Sequence, residues 1–308
     1  MSSGATFILN NGVTMPALGL GSWQSKPNEV YDAVLTAIKA GYRHIDTAYV
    51  YRNEKEVGLA IKNSGVPRAE LFVTTKLWNN NHRPDLVQKA IEASLENLQL
   101  DYVDLYLMHW PIAFQASESN FPKNSDGNIA VDNSIDYIDT YAAMEKLIQL
   151  GKTRAIGISN FTLEKVDRLL KNCKIPPAVN QVELHPYLAQ SDLIKFCQNN
   201  GVHVTAYSPL GSTDSPVMQE SVVVDIAKRH NASPAQVLLA WGMRRGCSVI
   251  PKSVTASRII SNFQVIELED GDFNAIEELT KTVEPKRLVD PSPFWGVDIY
   301  GSTTKSKL

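Results

Sequence analysis

Val103-Asp104-Leu105-Tyr106-Leu107-Met108, continuing into His109-Trp110-Pro111, is a nearly unbroken apolar run that ends on a polar side chain. A strand with one wet face alternates polar and apolar residues. An unbroken run suits a strand covered on both faces, as in a parallel sheet flanked by helices. With residues 103–110 as one strand, seven similar runs lie along the chain, at 17–20, 44–47, 71–76, 155–159, 179–182, 202–207 and 248–250.

Between these runs lie segments with helical spacing, such as Val30, Val34 and Ile38, or Leu86, Ala90, Ile91, Leu95 and Leu98. Helix starts are marked by Asn53 with Glu56, by Ser233-Pro234 with Gln236, and by Pro84. Asn11-Gly12 between two apolar stretches predicts a hairpin over 6–15. The 308 residues could hold two domains of about 150 residues or one α/β barrel of about 250 with additions. Eight strand–helix units without a Pro/Gly/Ser-rich linker decide for the second. The expectation is one domain over 1–308, an α/β chain folded as a (β/α)8 TIM barrel with an N-terminal β-hairpin and a C-terminal substrate loop. A doubly wound dinucleotide fold is disfavoured because Gly19-Leu20-Gly21-Ser22-Trp23-Gln24 lacks the third glycine. Residues 112–136 and 284–308 exceed what a barrel needs and are expected to form pocket walls.

Composition narrows the function. A hydrophobic fraction of 44% excludes disorder, and a formal charge of -3 gives no reason to expect nucleic acid or an anionic membrane. Cys173, Cys197 and Cys247 form no CxxC pair, so neither a disulfide framework nor a metal site is expected. No apolar run is long enough to span a membrane and no secretory signal is seen, which predicts a cytoplasmic protein. Ser306-Lys307-Leu308 matches the peroxisomal address and is weighed against a plain solvated tail.

Working residues of such barrels sit where strands end. Those positions carry Asp46, Lys76, His109, Ser159 with Asn160, Gln181, Tyr207 with Ser208, and Lys252 with Ser253. Tyr51 follows Asp46 on a loop over the mouth. A phenol titrates near 10, and a neighbouring lysine cation is expected to lower that value, with Asp46 holding Lys76 and His109 orienting a substrate oxygen. No G-x-S-x-G, paired metal histidines or pair of carboxylates offers another chemistry. Proton donation to a carbonyl remains, and it needs a hydride source. Asn160 and Gln181 can hold a carboxamide, and Tyr207 can stack under a ring. Lys252-Ser253-Val254-Thr255, with Arg258 in the following helix, suits a phosphate monoester and so favours NADPH over NADH.

Long stretches of the chain resemble the aldo-keto reductases. They are Gly41-Tyr42-Arg43-His44-Ile45-Asp46-Thr47-Ala48-Tyr49-Val50-Tyr51, Leu100 through Pro111, Gly157-Ile158-Ser159-Asn160-Phe161 and Ile250-Pro251-Lys252-Ser253. Tyr207 to Asp214 and Trp23 to Lys26 look most like the fungal glycerol dehydrogenase and aldehyde reductase branch. The resemblance implies a monomer-type barrel reducing aldehydes and ketones with NADPH, or oxidising an alcohol such as glycerol in reverse. Asp46, Tyr51, Lys76 and His109 match the family's tetrad. Ser159, Asn160, Gln181 and Tyr207 match its nicotinamide contacts, and Gly21, Trp23 and Val254 are further expected cofactor contacts. Ser208, Leu210 and Ser212 match its pyrophosphate-side loop, and Lys252, Ser253, Thr255, Arg258 and Asn262 its adenosine phosphate site. Ser261 departs from the acidic or amide residue of many relatives, and Tyr49 departs at the pocket edge. The substrate wall is expected from Trp23, Val50, Trp78, His109 and Trp110, with Phe294 or Trp295 closing it. Rival readings are a pentose or uronate reductase and a non-catalytic NADPH-binding regulatory barrel.

Overall fold

The computed structural model describes residues 4–23, 25, 26, 28–212 and 215–301; the Ser306-Lys307-Leu308 tail lies outside them. A hairpin of β1 (Thr6–Ile8) and β2 (Thr14–Pro16) leads into eight parallel strands: β3 (Leu20–Gly21), β4 (His44–Asp46), β5 (Phe72–Leu77), β6 (Val103–Met108), β7 (Thr153–Ser159), β8 (Val179–Glu183), β9 (His203–Tyr207) and β10 (Ser248–Val249). They pair in chain order. The ring closes through the bridges Leu18 to Val249 and Gly21 to Lys252 and the bond from Gly19 N to the Val249 carbonyl at 2.9 Å. The barrel expected from the strand–helix alternation is therefore what forms.

The helices are α1 (Glu29–Ala40), α2 (Glu54–Asn63), α3 (Val87–Leu98), α4 (Tyr137–Gln149), α5 (Leu163–Leu170), α6 (Ser191–Asn199), α7 (Ser221–Arg229), α8 (Pro234–Arg244), α9 (Ala256–Phe263), α10 (Asp270–Thr282) and the single turn α11 (Ser292–Trp295). The unbroken apolar pattern of β6 has a direct cause. Leu105 and Leu107 join a cluster inside the ring, whereas Tyr106 and Met108 belong to the shell between strands and helices. Full burial of each such leucine stabilises the fold by about 2–3 kcal/mol. The hairpin closes the lower end, because Leu9 and Met15 share the inner cluster with Phe72, Leu105 and Val179.

Local expectations fared unevenly. Ser233 and Gln236 form the full reciprocal capping box of α8. Asn53 does precede α2, but its side chain makes no cap bond and is spent elsewhere, and Glu56 accepts from Asn28 N instead. Pro84 lies in a turn, and α3 begins only at Val87. The first barrel strand is two residues long rather than 17–20, since the neighbouring contacts of 17–19 are isolated bonds to Val249. The fourth stops at Met108, which frees His109 and Trp110 for the mouth. The hairpin turn spans three residues, with Leu9 N donating to the Val13 carbonyl, and positive φ falls on Gly12 alone of them. Gly58 has a packing reason: a Cβ there would lie 2.1 Å from the Leu98 carbonyl oxygen, so the bare glycine lets α2 approach the end of α3.

Candidate active site

Asp46 ends β4, Lys76 lies near the end of β5, His109 follows β6 and Tyr51 closes the short 3-10 turn Tyr49–Tyr51. Strand stagger brings all four to one rim. The Lys76 ammonium donates to Asp46 Oδ1 at 2.5 Å, to the Thr47 carbonyl at 2.9 Å and to the Tyr51 hydroxyl at 3.4 Å. An ammonium has three protons, so all are committed. The second Asp46 oxygen accepts from Gln181 Nε2 at 2.7 Å. Thr47 Oγ1 donates to Asn53 Oδ1 at 3.1 Å while Asn53 Nδ2 donates to the Ser22 carbonyl at 2.9 Å, which fixes the Tyr51 turn and accounts for the missing helix cap.

Electrostatics differ from the sequence expectation at one residue. Burial raises the Tyr51 phenol above its ordinary value, and the Lys76 cation offsets this only in part, so the net shift is upward rather than downward. Desolvation wins because the phenolate would be charged in a dry site. Burial alone would lower Lys76, but Asp46 and Tyr51 outweigh it and hold the ammonium protonated. Burial also raises the Asp46 carboxyl, with Lys76 and Gln181 pulling it back. Burial, aided by the Lys76 cation and His82, keeps His109 well below the usual imidazole range, so the ring is neutral at pH 7.

A ring of amides continues round the mouth. Ser159 Oγ donates to the Gln181 carbonyl at 2.8 Å, Asn160 Nδ2 to the His109 carbonyl at 2.9 Å, and the Tyr207 hydroxyl to Asn160 Oδ1 at 2.7 Å. Asn160 and Ser208, directly after β7 and β9, hold positive φ angles of 64° and 48°, and Ser212, farther along the loop after β9, one of 61°. Such backbone strain clusters where a site over-determines it. Gly21 sits in the barrel closure, donating to the Pro251 carbonyl at 3.0 Å. Leu210 and Val254 pack partly against the core, so their side chains are turned to packing.

Farther along the rim, Lys252 and Arg258 are exposed, and neither forms an ion pair among the described residues. Thr255 precedes α9 without a capping side-chain bond, no acid lies in its first turn, and the Ser253 hydroxyl accepts from Thr255 N at 3.1 Å. Asn262 is buried in the same helix. Two unpaired cations beside free helix N–H groups form a setting for an anion.

Opposite stands an aromatic cluster of Trp78, Trp110, Phe114, Trp295 and Ile299, with Val50 packed against it. His109 meets the edge of Trp78 at a ring separation of 5.1 Å and of Tyr51 at 5.7 Å, so the wall adjoins the four rim residues. Of the two tail aromatics, Trp295 joins the wall, at 5.1 Å from Trp110 and 5.0 Å from Phe114. Phe294 does not: it is 81% exposed and borders an outer cleft, because the α11 turn places successive side chains on different sides. Trp23 is 41% exposed and lies outside the cluster.

The model of the aldo/keto reductase family matches residues 15–281 of the chain. The chain belongs to the aldo/keto reductase family. It is 50% identical over 298 residues to a glycerol 2-dehydrogenase (NADP(+)) of Saccharomyces cerevisiae, covering 93% of this chain and 95% of that one. It is 45% identical to an aldehyde reductase of the same yeast, covering 96% of each. Among solved structures, the aldose reductase from Schistosoma japonicum superposes with a TM-score of 0.91 at 40% identity, covering 99% of this chain and all of that one.

Sequence reasoning missed several residues of this aldo/keto reductase rim. The Thr47 carbonyl is a main-chain ligand of Lys76 with no side-chain signature. Phe114 and Phe121 meet Trp78 from within the long loop after β6, where irregular spacing hides which aromatics turn inward. Glu183 is fully buried two residues past Gln181, and its alternation with Gln181 along β8 was the available clue.

Proposed function

We propose that this chain reduces aldehydes and ketones to alcohols with NADPH, Tyr51 being the proton donor. The observation that carries the reading is the Asp46–Lys76–Tyr51 chain, in which a protonated phenol stands within reach of a buried ammonium whose other protons are already committed.

Lys252 and Arg258, with the first N–H groups of α9, would hold the 2′-phosphate; Asn160 and Gln181 would hold the nicotinamide carboxamide and Tyr207 would lie against the ring. The unpaired state of the two cations and the uncapped helix end support this fit. When bound, the cofactor supplies the hydride that reaches the carbonyl carbon. The chain's own groups manage the oxygen. Neutral His109 donates a hydrogen bond that orients the carbonyl beside Tyr51. As negative charge gathers on the oxygen, the phenolic proton moves to it, and the phenolate left behind is stabilised by the Lys76 ammonium. Asp46 keeps Lys76 charged and in place throughout. The buried aromatic wall excludes water and favours apolar substituents on the substrate. In the reverse direction the same groups would take the proton of an alcohol, and the 50% identity to the yeast glycerol 2-dehydrogenase supports that direction.

The test is NADPH consumption with glyceraldehyde and with benzaldehyde. General acid catalysis contributes about 10²–10⁴-fold, so Tyr51→Phe is expected to lower kcat by that range while NADPH binding persists. Full activity in that variant would overturn the mechanism.

A further inference from the structure

We infer that Glu183 is a positioning residue that sets the substrate range of the site by clamping the chain's C-terminal arm across the barrel mouth. This rests on the carbonyl reductase reading above for its substrates, though not for its geometry.

Glu183 is the last residue of β8 and shares a strand face with Gln181, so it stands at the rim rather than among the helices. It is completely buried, and no lysine or arginine pairs with it among the described residues. A carboxylate in that position needs donors, and the arm provides them. Glu183 Oε1 accepts from Leu288 N at 2.8 Å and Oε2 from Val289 N at 2.9 Å, across 105 and 106 residues. His185 Nε2 donates to Oε1 at 2.8 Å. These are charge-assisted bonds to backbone, so they hold the arm's path without regard to its side chains.

The clamped dipeptide leads directly into the residues that face the substrate. Trp295, on the four-residue α11, and Ile299 complete the wall with Trp78, Trp110 and Phe114. Apart from α11 the arm from Glu284 to Gly301 has no regular structure, so its course depends on a few fastenings. Further fastenings among the described residues include Lys286 N, which donates to the Tyr187 carbonyl at 2.7 Å, and Lys165 Nζ, which donates to the Ile299 carbonyl at 2.7 Å. Glu183 alone among these fastenings is a buried charge and grips two successive amides. Arg287, next to the clamped pair, stacks on Tyr300 at 3.7 Å, which joins the start of the arm to its end. Loosening Glu183 therefore shifts the apolar wall while Asp46, Tyr51, Lys76 and His109, carried by other elements, stay in place. A substrate that uses the wall suffers, and a small polar one does not.

The experiment compares Glu183→Gln with the unaltered protein. Glutamine keeps the volume but places an NH₂ where one arm amide needs an acceptor. With active sites titrated by NADPH binding, KM for benzaldehyde is expected to rise about tenfold, whereas KM for glyceraldehyde and both kcat values change less than about threefold. Lys165→Met, which releases the far end of the arm, should move KM for benzaldehyde in the same direction by less. Equal losses for both substrates, or no change for either, would overturn the proposal. Limited proteolysis followed by mass spectrometry supplies a readout independent of turnover: cleavage between residues 284 and 301 is expected to be at least five times faster in Glu183→Gln. Equal cleavage rates also overturn the clamp. If the unaltered protein reduces neither aldehyde, the carbonyl reductase reading fails, and the cleavage rates still decide whether Glu183 holds the arm.

Discussion

Gln181 donates its side-chain amide to Asp46 at 2.7 Å, linking residues 135 positions apart in the chain and on opposite parts of the ring. Under the proposed reading the same side chain faces the nicotinamide carboxamide through its remaining carbonyl, so cofactor position and the charge state of Lys76 share one amide. Gln181→Leu removes the donor from one oxygen of a buried carboxylate, which costs about 1–3 kcal/mol. The expected outcome is an unfolding free energy from urea titration lower by that amount, weaker NADPH binding by fluorescence titration, and a lower kcat. Loss of cofactor affinity with unchanged stability would show that Gln181 does not support Asp46.

Lys76→Met leaves Asp46 buried without its cation. Breaking such a pair from one side costs about 3–5 kcal/mol, whereas replacing both partners by neutral groups is far milder. Urea unfolding should show Lys76→Met as the least stable variant and Asp46→Asn/Lys76→Met as largely recovered. Neither variant should regain turnover, because the phenolate of Tyr51 would have no cation beside it.

Arg258→Met and Lys252→Met address the proposed phosphate site. Each charged hydrogen bond contributes about 1.5–3 kcal/mol, so either change should weaken NADPH binding by about 10–100-fold. NADH lacks the 2′-phosphate, and its dissociation constant should move by less than about twofold. Isothermal titration with both cofactors checks this. Parallel losses would place the phosphate elsewhere.

Acid sensitivity follows from histidines away from the reaction. Burial lowers His44 to about 3, His82 to about 3 and His203 to about 4, against about 6.5 in an unfolded chain. Between pH 6.5 and 4 the unfolded chain therefore binds more protons than the folded one, and stability falls as the pH falls. Each such histidine contributes about 1.4 kcal/mol per pH unit once the unfolded form is protonated. Urea midpoints measured from pH 7 to pH 4.5 should decline steadily, and His203→Asn should flatten the slope. A midpoint independent of pH in that window would contradict the buried neutral state.

The barrel was legible because its evidence is periodic. β6 reads as apolar on both faces, and the structure explains each face: Leu105 and Leu107 fill the ring while Tyr106 and Met108 meet the helices. The rim was legible for a different reason, since Asp46, Lys76 and His109 are polar endings to apolar runs. What failed depended on side-chain competition. Asn53 has the right residue type and place for a cap, yet Thr47 and Ser22 claim its amide. Tyr51 carries the expected neighbour, but sequence proximity reveals nothing about how dry the pair is, and burial reverses the direction of the shift. Phe294 and Trp295 are adjacent and similar in composition; only the geometry of α11 separates an exposed ring from a wall residue. Glu183 was invisible as a clamp because its partners are backbone amides of Leu288 and Val289, which any sequence would provide.

The closure of the ring between Gly21 and Lys252 has a consequence for biosynthesis. About 230 residues separate the two partners, and at translation rates of about 5–20 residues per second β3 waits roughly 10–45 s on the ribosome before its second neighbour exists. During that wait β3 has only β4 beside it, and its other edge is an open template for pairing with another nascent chain. Chaperone engagement should therefore persist until the segment after β10 has emerged, and a ribosome-bound chain stalled before residue 248 should be far more prone to aggregation than one released after it.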